Sequence, residues 1–387
     1  MEVMIYGGSF NPPHLGHVAA AQSALASLRP DRLLVIPAAE PPHKALDAGS
    51  PNPGQRLALC RTVFSELPNT IVSDLELRRG GPSYTVETLE ILRRRYPAAR
   101  LTLLIGTDML ESFPRWYRFQ DILKLARLGV FARKTGESER VCKFAAKLRD
   151  TYGAEVVVIN HEPLPLTSTD IRKALPCRGG REGLGDLLYG QIVQKRLYGV
   201  RPELTWLRQQ VDRWLKPNRI PHVRGCEEEA VRLARHWGAD PALAAEAAIL
   251  HDVTKKLDFP DQVALCRRYG AACTAEDRKS PKTIHAKTGA LVARARFGAD
   301  PAVCQAIRWH TTGRANMGLL EKIIYVADYM EPNRDFPGVT RLRELAYSDL
   351  DAAVELGLEM TMEEIKMRGL RPHSKSMEAL AWLRREH

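Results

Sequence analysis

Gly7–His17 reads GGSFNPPHLGH. The apolar run Val3–Tyr6 before it predicts a strand, and Val18–Leu28 after it predicts a helix. The string is therefore a strand-to-helix turn. Glycines there let the backbone come close to a phosphate, and the helix N-terminus supplies free N–H groups and a positive dipole end. Gly7, Gly8, Ser9 and Phe10 are candidate backbone contacts to such a phosphate-bearing ligand. His14 and His17 stand three apart, close to one face of the helix start. Two imidazoles so placed can donate hydrogen bonds to a polyphosphate as negative charge builds on its oxygens.

Working outward, strands are predicted at Leu33–Pro37, Thr70–Ser73, Leu101–Ile105, Gly129–Ala132 and Glu155–Ile159, with helices at Gln55–Glu66, Val86–Tyr96 and Glu139–Asp150. Strand and helix in alternation predict an α/β doubly wound parallel sheet, Rossmann-like, whose ligands sit outside the C-terminal strand ends. After Tyr198 the pattern changes, and from Pro202 onward it predicts helices only. The Gly and Pro of YGVRP mark the change, giving residues 1–200 as an α/β domain and 201–387 as an all-α domain. WGADPA at Trp237–Ala242 and FGADPA at Phe297–Ala302 each read as a glycine helix stop followed by an Asp-Pro helix start.

The 387 residues suffice for two such cores, and an apolar fraction of 44% argues against disorder. No window approaches the 18 consecutive apolar residues of a transmembrane helix, and the N-terminus runs straight into a strand rather than a signal peptide. Seven scattered cysteines with no CxxC pair argue against a disulfide framework or zinc knuckle and for a reducing cytoplasm. Residues 1–200 carry 27 Lys+Arg against 20 Asp+Glu, and the remainder 30 against 26, so the net +11 is diffuse. That balance suits anionic phosphate substrates. Without a basic-aromatic stripe, nucleic acid is the weaker partner class, no membrane is expected, and a homo-oligomer stays open.

The N-terminal string resembles the signature of the class I nucleotidyltransferase superfamily, and residues 1 to about 198 are similar to nicotinate mononucleotide adenylyltransferase. Further stretches carry the resemblance: PPHK with His43 and Lys44, GPSYTVETL with Tyr84 and Thr85, LLIGTDM with Gly106 and Asp108, and LTSTDIR with Ser168, Thr169 and Arg172. Leu166 and Thr167 depart mildly from the family's usual Ile-Ser. The resemblance implies transfer of AMP from ATP, carrying Mg²⁺, to nicotinate mononucleotide. Gly106 and Asp108 would meet the ribose or base, and Trp116 would stack on the pyridine ring. Ser168, Thr169 and Arg172 would form a second phosphate site, and Lys44 would steer the phosphates.

The second half holds His222, the pair His251-Asp252, His285, His310 and Asp328. Imidazole and carboxylate ligands suit iron, manganese, cobalt, nickel or zinc better than calcium. Four histidines and two aspartates exceed what one metal usually takes, so two metals are the economical reading. Cys226 reads as a small buried residue rather than a ligand. His251-Asp252 with Lys255 resembles the HD phosphohydrolase signature. The ordered set PHVRG, ILHDVTKK, IHAKTGA, IRWHTTG and YVADYMEPNR is similar to HD-domain symmetrical diadenosine tetraphosphate hydrolases. That resemblance implies one metal, with iron first in expectation, on His222, His251, Asp252 and Asp328. It implies a second on His285 and His310, with Asp252 bridging. Lys255, Thr311, Thr312 and Arg334 are the expected phosphate contacts, with Lys255 and Arg334 ranked lower because either could pair with a carboxylate.

Other substrates stay open at this level: nicotinamide nucleotide or phosphopantetheine for the first domain, guanosine polyphosphates or deoxynucleoside triphosphates for the second. A nucleotide-binding regulatory module in place of a hydrolase, and an RNA-binding chain, are readings of a different class.

Overall fold

The computed structural model describes residues 1–42 and 45–386. It divides into two compact units, Met1–Val200 and Arg201–His387. His43 and Lys44 lie outside the described residues.

The first unit is built on six parallel strands: β1 (Glu2–Gly8), β2 (Arg32–Pro37), β3 (Thr70–Val72), β4 (Arg100–Gly106), β5 (Arg127–Phe131) and β6 (Val156–Val158), in the order β3-β2-β1-β4-β5-β6. Helices α1 (Leu15–Leu28), α2 (Pro53–Phe64), α3 (Leu75–Arg79), α4 (Thr85–Arg95), α5 (Thr107–Ser112), α6 (Phe119–Leu125), α7 (Ser138–Tyr152), α8 (Ser168–Ala174) and α9 (Asp186–Gln194) connect and cover them. Strand residues alternate between faces. Val3 and Ile5 pack with Leu89, Leu92 and Phe113, while Met4 and Tyr6 pack with Ala20, Ala21, Ala24 and Phe64. The three α1 alanines let that helix lie close to the sheet. The strand order reverses between β1 and β4, which pair directly at Met4 and Thr102. At such a switch point the connections leave to opposite sides and open a crevice at the strand ends. Gly8 and Gly106 end those two strands.

The second unit is helical: α10 (Leu204–Asp212), α11 (Ile220–Trp237), α12 (Pro241–Leu250), α13 (Phe259–Arg268), α14 (Ala275–Lys279), α15 (Ile284–Phe297), α16 (Pro301–Trp309), α17 (Leu319–Met330), α18 (Val339–Ser348), α19 (Leu350–Met367) and α20 (Ser374–Glu386). Asp240 and Asp300 cap α12 and α16 by accepting from backbone N–H groups, each with proline in the first turn. Gly238 and Gly298 close α11 and α15 in the left-handed conformation. In α12, Ala244 to Leu250 are all buried, so this helix runs through the core and delivers His251, fully buried, to its centre. Helix α11 starts at Ile220 rather than at the Gly225 that apolar periodicity suggests. Pro221 occupies its first turn, where the missing N–H costs nothing.

Candidate functional site

In the first unit the turn after β1 is held from below. Arg56, fully buried on α2, donates to Ser9 O at 2.6 Å, Ala38 O at 2.7 Å and Ala39 O at 3.0 Å. Phe10 takes a left-handed φ of 44° and buries its ring edge-on against Tyr6 and Phe64. A non-glycine residue in that region needs such packing to hold it. The Asn11–Pro12 peptide is cis. Residues of the LTSTDIR stretch close over the same turn, with Ser168 Oγ donating to Pro12 O at 2.8 Å and Arg172 donating to Asn11 O at 2.6 Å. Arg172 also pairs with Asp47 at 2.5 Å, and with Thr169, Ser50 and Tyr198 it lines a cleft of about 390 Å³.

His14 precedes α1 and is buried, with neither ring nitrogen hydrogen-bonded. Burial, reinforced by the Arg133 charge, pushes its pKa down to about 4, so it is neutral at pH 7. The His17 ring lies 3.8 Å from it, centroid to centroid. His17 Nδ1 accepts the His14 backbone N–H at 3.2 Å, which leaves Nε2 to carry the proton of the neutral ring. Burial, then His14 and Arg133, hold His17 well below the usual histidine range as well. These are neutral donors beside a helix N-terminus, suited to oxygens whose charge grows during reaction.

The space in front of the pair is only about 20 Å³, lined by Tyr6, Phe131, Arg133 and His161 among others. Arg133 narrows it. Its guanidinium pairs with Asp108 at 2.6 Å, and its stem passes so close to Gly106 that a Cβ there would stand 2.5 Å from it. Asp108 lies in the first turn of α5 and is exposed. Tyr84 precedes α4, which begins at Thr85, and its ring lies 4.7 Å from that of exposed Tyr117, tilted by 44°. Trp116 packs partly into the core at 5.3 Å from Phe113. Sequence reading missed Arg56, Arg133 and His161. His161 accepts from or donates to Ser23 Oγ at 2.9 Å, and nothing around it in sequence marks it as a pocket residue.

In the second unit six side chains converge. His222 stands in the first turn of α11, His285 in that of α15, and Asp328 in the last turn of α17. His251 and His310 follow directly on α12 and α16. Each histidine has its Nδ1 engaged: His251 with Ala248 O at 2.6 Å, His310 with Ile307 O at 2.7 Å, His285 with Lys282 O at 2.8 Å, and His222 with Glu331 Oε1 at 3.1 Å. Such bonds fix the tautomer and leave Nε2 as a lone-pair donor. The Nε2 atoms point together, 3.4 Å apart for His222 and His251, and 3.2 Å apart for His285 and His310.

Asp252, fully buried, lies between the two pairs. Its Oδ1 is 3.2 Å from His285 Nε2 and 3.7 Å from His310 Nε2, while Oδ2 is 3.5 Å from His251 Nε2 and 3.9 Å from His222 Nε2. Asp328 Oδ1 is 3.0 Å from His222 Nε2 and 3.8 Å from His251 Nε2. Helix α12 ends at Leu250, and the pair His251-Asp252 sits in the turn that follows, with His251 keeping right-handed helical angles (φ −55°, ψ −38°). Burial alone would raise the Asp252 carboxyl, but His251, His285 and His310 hold it well below the usual carboxylate range. Asp328 is held low by His222, against its own burial. Burial pushes His285 down to about 4.

Imidazole nitrogens and carboxylate oxygens converging in one buried place are the donor set of a divalent metal, and buried Asp252 Oδ1, without a hydrogen-bond partner, fits that occupant. Among the described residues, two ligand groups satisfy metal spacing: His222, Cys226, His251 and Asp328, and His251, Asp252 and His310.

Around the centre, Lys255 Nζ stands 3.0 Å from His285 Nε2 and 3.9 Å from Asp252 Oδ1. Arg334 pairs with Asp328 at 3.3 Å. Thr312 is buried and donates to Gly313 O, whereas Thr311 Oγ1 is buried without a partner. Arg219 and Glu331 were not legible beforehand. Arg219 donates to Asp252 Oδ2 through Nε at 2.6 Å. Glu331 reaches His222 because residue 225 is glycine, where a Cβ would stand 2.3 Å from Glu331 Oε2. His236, at the α11 C-terminus, donates to Tyr347 O, away from this cluster.

These two sites define the chain as a nucleotidyltransferase-type α/β unit followed by a metal-binding HD unit. The cytidylyltransferase-like family model matches residues 5–174 and the HD domain model residues 219–333. The chain is 39% identical to a probable nicotinate-nucleotide adenylyltransferase of Gemmatimonas aurantiaca, over 52% of this chain and 94% of that protein. It is 43% identical to a symmetrical bis(5'-nucleosyl)-tetraphosphatase of Halalkalibacterium halodurans, over 43% of this chain and 84% of that protein. A Mycoplasma pneumoniae protein named probable nicotinate-nucleotide adenylyltransferase/Ap4A hydrolase is 27% identical over 92% of this chain and 98% of its own length. The chain belongs to the nicotinate-nucleotide adenylyltransferase family in its first half and to the symmetrical bis(5'-nucleosyl)-tetraphosphatase family in its second.

Proposed function

We propose that the chain is a bifunctional enzyme. Residues 1–200 transfer AMP from ATP to nicotinate mononucleotide, giving deamido-NAD and pyrophosphate, and residues 201–387 cut diadenosine tetraphosphate into two ADP. The observation that carries the first activity is the neutral His14–His17 pair at the α1 N-terminus, beside the β1/β4 switch point. The nicotinate nucleotide's phosphate oxygen attacks the α-phosphorus of ATP. The bond from that phosphorus to the bridging oxygen breaks, and pyrophosphate leaves with its Mg²⁺. His17 Nε2–H donates to the oxygens that gain charge, His14 supports it, and the α1 backbone N–H groups add their dipole. Arg172 fixes the turn through Asn11 and exchanges Asp47 for a phosphate. Trp116 and the Tyr84–Tyr117 pair offer the aromatic faces for the pyridine ring.

The second activity rests on Asp252 lying between two imidazole pairs. His222, His251, Asp252 and Asp328 would hold one divalent ion, and His285, His310 and Asp252 a second, iron being the expected metal. Ions bound there supply Lewis acidity toward phosphate oxygens and a nucleophile at neutral pH. The chain's own groups do the rest. Glu331 and the backbone carbonyls orient the imidazoles, while Arg219 and Lys255 balance charge at Asp252. Thr311 offers a free hydroxyl to the substrate. Water oxygen adds to one of the two inner phosphorus atoms, and the oxygen bridge between them is released on the other ADP.

Seven free cysteines fit a cytoplasmic location, and among the described residues no helix is long and apolar enough to cross a membrane. The test is metal analysis of the purified chain, then product identification with ATP plus nicotinate or nicotinamide mononucleotide, and with diadenosine tetraphosphate. A preference for the nicotinamide acceptor would reassign the first half, and ATP plus AMP as products would rule out a symmetrical cut. Residues 1–200 and 201–387 expressed separately should each retain one activity.

A further inference from the structure

Cys226 is the one group in the metal cluster that the family pattern does not call for. It lies four residues after His222 on α11, so both project from the same face. It is buried, and its surroundings are not those of a core filler. Sγ is 3.5 Å from His222 Nε2 and 4.0 Å from Asp328 Oδ1, and all four donor atoms of His222, Cys226, His251 and Asp328 lie within 4.8 Å of one another.

Those distances have a simple geometric reading. With metal–nitrogen bonds of about 2.05 Å and a metal–sulfur bond of about 2.3 Å, donors sharing one ion stand roughly 3–4 Å apart. The observed His222–His251 separation is 3.4 Å and the His222–Cys226 separation 3.5 Å. Asp328 Oδ1 stands 3.0 Å from His222 Nε2 and 3.8 Å from His251 Nε2. The two Nε2 atoms face each other at 3.4 Å while both Nδ1 atoms are otherwise engaged, an arrangement that a cation between them satisfies. Asp252 Oδ2 brings a further carboxylate oxygen to the same place, 3.5 Å from His251 Nε2 and 3.9 Å from His222 Nε2.

We propose that Cys226 Sγ is a ligand of the metal held by His222, His251 and Asp328. With Asp252 Oδ2 as the bridging carboxylate, that position would be a two-imidazole, two-carboxylate, one-thiolate site selective for zinc, cobalt(II) or iron(II) over manganese or magnesium. On binding, the thiol proton passes to solvent and the sulfur lone pair takes the metal. Soft sulfur favours the later, softer ions, whereas the position formed by His285, His310 and Asp252 has only nitrogen and oxygen donors. The two positions would therefore differ in metal preference. This proposal rests on the metal-centre reading of the second unit.

The test uses the full chain, stripped of metal and reloaded with cobalt(II). Wild type should show ligand-field bands together with a near-ultraviolet thiolate-to-cobalt charge-transfer band. Cys226→Ala should keep ligand-field bands from the remaining donors, lose the charge-transfer band, and bind zinc about 100-fold more weakly while its manganese affinity changes little. X-ray absorption of zinc-loaded wild type should show a sulfur shell at about 2.3 Å, a readout that does not depend on the variant folding. Cobalt bound to wild type with neither band nor sulfur shell overturns the sulfur assignment alone, as does a band that survives in Cys226→Ala. A wild-type chain that binds no cobalt overturns the metal centre itself.

Discussion

Asp252→Asn keeps the shape of the side chain while removing its charge and turning one carboxylate oxygen into an amide nitrogen. In the structure each oxygen serves a different imidazole pair: Oδ1 is 3.2 Å from His285 Nε2, and Oδ2 is 3.5 Å from His251 Nε2. An amide presents only one oxygen, so at least one pair loses its bridge. For the pair His285 and His310, Asp252 is the sole carboxylate within 4 Å among the described ion pairs. Loss of an outer-sphere partner alone costs about 10–100-fold in metal affinity, so loss of a direct ligand should cost about 100-fold or more. Bound metal should drop from about two ions per chain to one or fewer. If the missing ion supplied about 4 kcal/mol of transition-state stabilisation, cleavage of diadenosine tetraphosphate falls about 10³-fold.

The fold should survive. Arg219 donates to Oδ2, a charge-assisted contact worth about 1.5–3 kcal/mol, and an amide oxygen retains part of it. With about 1–2 kcal/mol lost, and about 2–4 °C per kcal/mol for a unit of this size, Tm drops by roughly 2–8 °C. Metal content, both activities and circular dichroism, measured on one preparation, decide the matter. Adenylyl transfer should persist, since His14, His17 and Arg172 belong to the other unit. Retained hydrolysis at full metal content would refute the bridging argument.

Three further outcomes are expected. His17→Ala should lower kcat for adenylyl transfer about 10²–10³-fold with little change in substrate binding, because its Nε2–H bond strengthens in the transition state; an unchanged kcat removes it from the mechanism. His14 is held neutral with a pKa of about 4, below the ordinary value of about 6.5, so below pH 6.5 the unfolded chain binds a proton that the folded one refuses. Its contribution makes stability fall between pH 6.5 and about 4, by about 3 kcal/mol in all, and guanidinium unfolding of wild type and His14→Asn across that range should diverge accordingly; parallel curves contradict it. Arg56→Met leaves three carbonyls of the phosphate turn and its neighbours without their donor, so unfolding should cost about 3 kcal/mol less and the KM for ATP should rise; an unshifted denaturation midpoint would show that Arg56 is dispensable.

The fold class was legible because local patterns encode which face of an element is buried. Short continuous apolar runs alternating with helical stretches announce a parallel sheet, and their disappearance after Tyr198 announces helices only. Short elements such as α3, α5, α6 and α14 escaped notice, since seven residues or fewer carry too little periodicity and owe their helicity to packing.

At the sites, residue type and order were enough to nominate His14, His17 and the six-residue histidine and aspartate set, which the structure gathers into one pocket and one cluster. Their partners were not readable. Arg219 meets Asp252 across 33 positions, Glu331 meets His222 across 109, and Arg133 meets Asp108 across 25. No local rule selects one arginine or glutamate among many for such a contact. The choice is made when helices and strands pack and bring particular faces within hydrogen-bond reach. The same holds for Cys226. Its sequence reading as a small buried residue accounts for the burial, but the identity of its neighbours depends on the approach of α12 and α17 to α11, which only the tertiary structure decides.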